Sequence, residues 1–339
     1  MAGNKYITLT NSKTSEIDFK FIICSLFFVL LTGLSLFIGF YIAQGARDYL
    51  NYENYYKSLT PIISGIDGGG DRFEIGFKLL TILISKAIPL NTRLYYSIIV
   101  FIALYSKFIL SFKYFNHNLL KVSLFFVFYI LSFMLVFEVN QIREAIALSF
   151  GFFSIYYLHK DKKITSIIFF LLSFCFHYTS IIFLIPLFSI YFAERKKIKI
   201  LMIAISIFTL ISEYLINLFK TLNPEVIEYS KNYEGVVFNL TNITFILAVI
   251  FFIYHFINIK NENPLSIALL MLLYSGIFFY VVIDIPVYQI RILELTEVSC
   301  MFIAINRKFK TYFDVGSLLL LTVIIFHKFI AFTIINPLF

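Results

Sequence analysis

The run FIICSLFFVLLTGLSLFIGFYI, residues 21–42, contains 22 residues and no charge. A helix of about 20 apolar residues is long enough to cross the hydrocarbon core of a bilayer. The run exceeds the core of a signal peptide and lacks a small-residue cleavage site, so we expect it to remain as a span. Comparable runs recur along the chain, whose mean hydropathy is +0.87. Only 14% of its 339 residues are charged, against about 25% in soluble domains. The sequence therefore predicts an all-α, polytopic integral membrane protein.

The spacing of the apolar runs predicts eleven membrane helices in a single membrane domain that covers residues 1–339. The stretch 164–192 is too long for one ordinary span. It contains His177 and Pro186, and we expect these residues to divide it into two short helices that meet at FHYTS, residues 176–180. The other nine helices are predicted at 21–42, 94–112, 120–137, 141–159, 200–219, 239–258, 264–283, 291–305 and 313–335.

The distribution of basic residues predicts how the chain is oriented. The net charge is +8, but the lysines and arginines lie in short loops between spans, which argues against a nucleic-acid partner. If the N-terminus is cytoplasmic, the loops on that side hold 16 of the 28 Lys and Arg residues, in agreement with the positive-inside rule. These cytoplasmic segments are 1–20, 113–121, 159–163, 194–199, 259–263 and 306–311.

In this topology the segment 43–93 is a long outer loop. Its stretch 73–90, FEIGFKLLTILISKAIPL, carries polar residues at helical spacing. These residues are Glu74, Lys78, Thr81 and Ser85. We expect an amphipathic helix that lies in the outer interface of the membrane, because too few apolar residues separate the lysines for a span.

Five ionisable side chains that are distant in sequence come together on the outer side. Arg143 in EVNQIREAIALSF and Arg291 in DIPVYQIR lie at the outer ends of two spans, and His177 lies at the outer end of the split segment. Asp48 and Glu74 lie in the outer loop. Ionisable groups at membrane depth are costly to bury and are functional candidates by default.

These side chains also have purely structural explanations. Arg143 can extend to the lipid headgroups or pair with Glu144 or Glu138, and Arg291 can pair with Glu294 one turn further along its helix. A single histidine in an apolar segment is more often a packing residue, and an aspartate in a polar loop is ordinarily solvated. The individual residues therefore leave function open.

The ordered set of motifs is more specific than any single residue. NQIREAIALSF (140–150) is followed by LLSFCFHYTSIIFLIPLF (171–188), and this pair resembles the EpsG-like branch of the Wzy polysaccharide polymerases. That family typically reads Asn-Gln-Ile-Arg-Gln-x-Ile-Ala and then Phe-His-x-Ser-x-(apolar)-Pro. An aspartate followed by a tyrosine, EIGF in place of Glu-Pro-Gly-Phe, and a late arginine complete the order. These matches are Asp48, Tyr52, 74–77 and Arg291.

Three positions depart from the family pattern. Glu144 replaces a glutamine, Ile75 replaces a proline and Thr179 replaces a serine. Glu144 is the departure with a chemical consequence, because a carboxylate next to Arg143 can hold the guanidinium in a pair. The order of first span, acidic outer loop and interfacial helix is also similar to the GT-C class of lipid-linked sugar transferases, a likeness at fold level only.

The resemblance implies a glycosyltransferase of the bacterial plasma (inner) membrane. Members of that family join oligosaccharide repeat units of O-antigen or capsular polysaccharide on the outer face of the membrane. The repeat units are carried on undecaprenyl pyrophosphate. Guanidinium groups bind phosphate oxygens bidentately. The predicted pyrophosphate-binding residues are Arg143, Arg291, Gln141 and Arg47. A carboxylate or imidazole must accept the proton of the acceptor hydroxyl. The candidates are Asp48 as first choice, then Glu74 and His177.

The expected partners are the lipid-linked oligosaccharides, the bilayer and a protein that regulates chain length. No cofactor and no metal ion is expected, because the spacing of the outer-loop acids is not diagnostic of a cation site. Those acids are Asp48, Asp67, Asp71 and Glu74. Two other functions use the same lipid: a flippase or transporter, which grips the pyrophosphate without chemistry, and an O-antigen ligase, which uses another acceptor.

Overall fold

The structure is a computed structural model that describes residues 8–59, 73–89, 91–194, 198–222, 238–283 and 286–331. Within these ranges the chain is helical and has no β-strand. The helices pack around one continuous apolar core that includes residues from most of them. This architecture is that of a helical membrane protein, in agreement with the composition.

Thirteen α-helices make up the described part of the chain, and every predicted membrane segment overlaps at least one of them. Short π-helical turns continue two of the helices, Ile38–Ile42 after α1 and Leu135–Asn140 after α5, and a 3₁₀ turn, Tyr178–Phe183, precedes α8. The helices are α1 (Thr8–Phe37), α2 (Tyr49–Ser58), α3 (Ile75–Ala87), α4 (Thr92–Tyr114), α5 (Leu119–Ser132), α6 (Ile142–His159), α7 (Lys163–Phe176), α8 (Leu184–Glu194), α9 (Ile198–Leu222), α10 (Phe238–Ile257), α11 (Pro264–Val282), α12 (Pro286–Ile305) and α13 (Tyr312–Ile330).

Among the residues that the structure describes, four helical segments are long and apolar enough to cross a membrane by themselves. They are Phe21–Gly45, Thr92–Tyr114, Pro264–Val282 and Tyr312–Ile330. Several other helices are apolar but shorter, among them Leu119–Ser132 and Lys163–Phe176. Several of the predicted spans, among them those of α4, α6, α12 and α13, contain charged side chains within the helix.

Two α-helices lie in the parts of the outer loop that the structure describes, residues 43–59 and 73–89. The first of these parts, read from sequence as a polar loop, forms α2, which buries Tyr49, Tyr52, Tyr55 and Tyr56. In α3 the predicted polar face is directed toward the protein, because the Thr81 hydroxyl lies 3.1 Å from the Tyr95 hydroxyl of α4. The opposite face of α3 exposes apolar side chains. These are Ile75, Leu79 and Leu83.

The predicted interruption of the stretch 164–192 occurs at His177. This residue has extended backbone angles, φ −159° and ψ 126°, between the end of α7 and the 3₁₀ turn. Pro186, which we also expected to interrupt the helix, lies in the first turn of α8, where its missing N–H leaves no intrahelical bond unmade. The histidine therefore marks the break and the proline does not.

Small residues bring α7 and the 3₁₀ turn against α6. The Ser173 hydroxyl donates a 2.6 Å hydrogen bond to the carbonyl of Ala147. A Cβ atom at Gly151 would lie 2.2 Å from the ring of Phe183, so only glycine fits there. This close packing places His177 beside the beginning of α6.

Candidate functional site

The site is built around the turn between α5 and α6, which is buried inside the protein. Glu138 and Val139 have no exposed surface. The Tyr96 hydroxyl of α4 donates to the carbonyl of Val139 at 2.6 Å, and the backbone N–H of Asp48 donates to the Asn140 side chain at 3.3 Å. The outer loop thus covers the turn, and the residues that follow it are recessed below the surface.

A buried ion pair braces this turn from α4. The Lys107 ammonium lies 2.7 Å from Glu138 and donates to the carbonyl of Ala145 at 2.7 Å. The other oxygen of Glu138 accepts from the Tyr129 hydroxyl at 2.7 Å. Because a buried charge without partners is very costly, these contacts hold the start of α6 in one position.

Arg143 lies in the first turn of α6, next to the braced turn. Its Nη1 donates to Glu74 Oε2, and its Nε lies 3.5 Å from the Tyr52 hydroxyl of α2. The guanidinium also lies over the Phe73 ring, 5.1 Å from the centroid. These three partners of Arg143 come from the outer loop, and none of them is Glu144 or Glu138, the partners considered from sequence.

Glu74 occupies the N-cap position of α3 but makes no capping hydrogen bond with its side chain. Its Oε1 lies 2.8 Å from Nδ1 of His177, while Oε2 binds Arg143. Burial by itself raises the pKa of Glu74, but the hydrogen bond from His177 and the positive charge of Arg143 outweigh it and hold the pKa below 4.5. Glu74 is therefore ionised at neutral pH and joins the arginine to the histidine.

The glycine of EIGF explains how Glu74 reaches His177. A Cβ atom on Gly76 would lie 2.8 Å from the carbonyl oxygen of Cys175, near the end of α7. Since that neighbour is backbone, a side chain at position 76 would push α3 away from α7. Gly76 thus allows the close approach that the Glu74–His177 contact needs.

A second charged pair lies near Tyr52. Arg291 Nη2 is 4.0 Å from Asp48 Oδ2. Burial raises the pKa of the Tyr52 hydroxyl, which also lies in the fields of Arg143, Asp48 and Arg291. Tyr52 is therefore protonated at neutral pH and lies in the fields of both arginines. Because α12 begins at Pro286 rather than at residue 291, Arg291 lies in its second turn and not at its end.

Glu144, the departure from the family motif, is directed at His177. Its Oε2 lies 3.6 Å from His177 Nε2, on the opposite edge of the imidazole from Glu74. Of the other predicted residues, Arg47 is exposed at the rim of α2, and Gln141 precedes α6 with its side-chain oxygen buried. Asp67 and Asp71 lie outside the described residues.

A model of the EpsG family matches residues 22–338, nearly the whole chain. The chain belongs to the EpsG family. This is the family of Wzy-like polysaccharide polymerases and glycosyltransferases, which confirms the resemblance read from the motifs. No curated protein and no solved structure matches the chain. Membership of the EpsG family indicates a role in polysaccharide synthesis at a membrane.

Sequence reasoning did not find the ion pairs that this EpsG protein buries between its helices. Lys107 and Glu138 form one pair, and Lys328 of α13 lies 2.6 Å from Glu297 of α12 in another. Glu294 lies one turn before Glu297, in the fields of Arg291 and Glu144 among other charges. The available signal was a single charged residue inside an apolar run, as in LYSKFIL.

Proposed function

We propose that the protein is a glycan polymerase. It transfers a growing oligosaccharide from undecaprenyl pyrophosphate to a sugar hydroxyl of a new lipid-linked repeat unit of O-antigen or of a capsular or exopolysaccharide. The observation that carries the proposal is the buried cluster of Arg143, Glu74 and His177. It combines a phosphate-binding cation with an oriented imidazole in a chain of the EpsG family.

Arg143 and Arg291 bind the pyrophosphate beside Tyr52. A guanidinium has five N–H donors in a fixed plane, which allow it to hold a carboxylate and a phosphate oxygen together. The Tyr52 hydroxyl, which lies beside the Arg143 guanidinium, donates a further hydrogen bond to the pyrophosphate. Charge that develops on the leaving pyrophosphate is stabilised by these preorganised groups, which is where most of the rate enhancement arises.

His177 accepts the proton of the attacking hydroxyl, and Glu74 orients its ring. The first choice from sequence was Asp48, but Asp48 faces Arg291 at the rim, whereas His177 is hydrogen-bonded to an ionised carboxylate. A base held by a third group is the arrangement that nucleophile activation commonly uses. Glu74 itself is a poorer base because both of its oxygens are engaged and its pKa is low.

The proposed reaction is a displacement at the anomeric carbon of the donor. The acceptor oxygen forms a bond to that carbon, and the bond from the carbon to the pyrophosphate oxygen breaks. The acceptor proton moves to Nε2 of His177, and undecaprenyl pyrophosphate leaves with the electron pair. The products are the lengthened glycan on the acceptor lipid and free undecaprenyl pyrophosphate.

The proposal includes the topology predicted from charge. Eleven membrane crossings with a cytoplasmic N-terminus put α2, α3 and the site on the periplasmic side of the inner membrane. The basic loops support this orientation. We further propose that Arg47 and Gln141 contact the headgroup of the substrate. A chain-length regulator is a proposed protein partner.

The test is a cell-free reaction of the purified protein, in lipid, with lipid-linked repeat units from the source strain. We expect a ladder of longer glycans on the same lipid. Unchanged glycan length with movement of the lipid between leaflets would indicate a flippase instead. Transfer only to a different acceptor, such as a lipid A core, would indicate a ligase. Either result would contradict the proposed polymerase.

A further inference from the structure

Two buried hydrogen-bond acceptors face each other at the edge of the site. His177 Nε2 and Glu144 Oε2 are 3.6 Å apart, which is longer than the roughly 2.8 Å of a direct charge-assisted bond. Glu144 is 1% exposed and His177 is 8% exposed. The two groups are therefore inside the protein, close to each other and not bonded to each other.

The Glu74 contact decides which nitrogen of His177 carries hydrogen. An ionised carboxylate can only accept hydrogen bonds, and Glu74 is ionised beside Arg143. Nδ1 of His177 must therefore be the donor to Glu74 at 2.8 Å. In the neutral ring the other nitrogen, Nε2, then presents its lone pair to Glu144.

Several acceptors in this region lack a donor. Within the part of the chain that the structure describes, His177 Nε2 and both oxygens of Glu144 have no hydrogen-bond partner. The same is true of the side-chain oxygen of Gln141, the N-cap residue of α6, three positions before Glu144. Glu138 differs from Glu144 in having close partners, since Lys107 Nζ lies 2.7 Å from one of its oxygens and the Tyr129 hydroxyl donates to the other, whereas the nearest ionisable group to Glu144 Oε2 among the described ion pairs is His177 at 3.6 Å.

Unsatisfied buried acceptors are costly, so a ligand with several donors is needed to satisfy this group. The acceptor atoms number four, and one water has only two protons to donate. A sugar offers a row of adjacent hydroxyl groups, each of which can donate.

We propose that Glu144, Gln141 and His177 Nε2 form the binding subsite for the acceptor sugar, and that they bind two adjacent hydroxyl groups of that sugar. This inference rests on the proposed polymerase function. One hydroxyl donates to Nε2 and becomes the nucleophile. The neighbouring hydroxyl donates to the Glu144 carboxylate, which fixes the ring relative to the donor. Glu144 is thus a specificity-determining residue for an acceptor with a free vicinal diol.

The test separates acceptor binding from donor binding. The acceptor is the free repeat-unit oligosaccharide, released from its lipid by mild acid, and the donor is the intact lipid-linked unit. We expect Glu144→Gln, which keeps an acceptor oxygen but removes its negative charge, to raise the acceptor KM about tenfold, because a hydrogen bond to a charged acceptor is stronger than one to a neutral acceptor. Donor Kd should change less than about twofold. Glu144→Ala should give at least the same acceptor effect.

Glu53→Gln is the matched control, because Glu53 pairs with Lys57 on the surface of α2 and should leave both constants unchanged. Gln and Ala variants of Glu144 are compared only as monodisperse protein with wild-type melting temperature, and Gln preserves the shape if Ala does not fold. An unchanged acceptor KM in Glu144→Gln, or an equal loss of donor and acceptor binding, would overturn the inference. Failure of the wild-type protein to lengthen glycans would instead overturn the proposed function.

Discussion

Glu74 connects the two roles of the proposed polymerase site, which are pyrophosphate binding and proton transfer. One of its oxygens binds Arg143 and the other binds His177. In the absence of substrate it neutralises a buried guanidinium, and the same charge holds the imidazole with Nδ1 as donor. A neutral residue at position 74 would leave a buried arginine unpaired and the ring unoriented, so the effect would reach beyond proton transfer.

A pair of variants can test the assignment of His177, rather than Asp48, as the base. His177→Gln keeps a polar side chain but removes the imidazole, and we expect it to lower the turnover number by about 100-fold or more. Asp48→Asn should lower it less than tenfold, because only the contact to Arg291 is weakened. The measurement is the initial rate of ladder formation at saturating lipid-linked substrate. The reverse order of effects would return the role of base to Asp48.

The sequence named Arg143, Glu74 and His177 as candidates, and the structure brings them together, but their pairing was not predictable. Pairing of Arg143 with Glu144 is unfavourable for a simple reason: consecutive residues on a helix do not face each other. Glu144 is directed at His177 instead. The true partner of Arg143 lies 69 positions earlier in the chain, and no local pattern encodes a contact of that separation.

At the scale of elements, the position of α3 against α7 determines whether Glu74 can reach His177. Gly76 packs on the backbone of Cys175, so the distance between these helices is set by the absence of a side chain. The predicted amphipathic helix 73–90 had about the right bounds, since α3 covers Ile75–Ala87. Its neighbour α2 was missed, although Tyr49, Tyr52 and Tyr56 recur at helical spacing and are all buried.

Gly76→Ala should therefore reduce activity without unfolding the protein. The added methyl group must displace α3 by several tenths of an ångström, and misplacement of a catalytic group on the order of 1 Å can cost about 100-fold in rate. We expect the rate of ladder formation to fall about tenfold or more, while the expression level is unchanged. Gly33→Ala is the control, because a Cβ at Gly33 meets no atom within 4 Å. Equal activity of the two variants would show that the α3–α7 distance is unimportant.

Ion pairs between helices bury charged side chains inside this apolar membrane protein. Lys107 with Glu138 joins α4 to the turn before α6, and Lys328 with Glu297 joins α13 to α12. Hydropathy located the helices because apolar runs are continuous in sequence. It could not locate these pairs, because a lysine and a glutamate in separate runs carry no information about which helices become neighbours.

We propose that a lipid pyrophosphate binds between Arg143 and Arg291 with a sugar at His177. Cryo-electron microscopy of the His177→Gln protein with the lipid-linked repeat unit in nanodiscs tests it most directly, since this variant should bind substrate without turning it over. We expect phosphate oxygens within about 3 Å of the Arg143 guanidinium, the distance of a charge-assisted hydrogen bond, beside Tyr52. Pyrophosphate density elsewhere, for example at Arg307 beyond the opposite end of α12, would contradict the account.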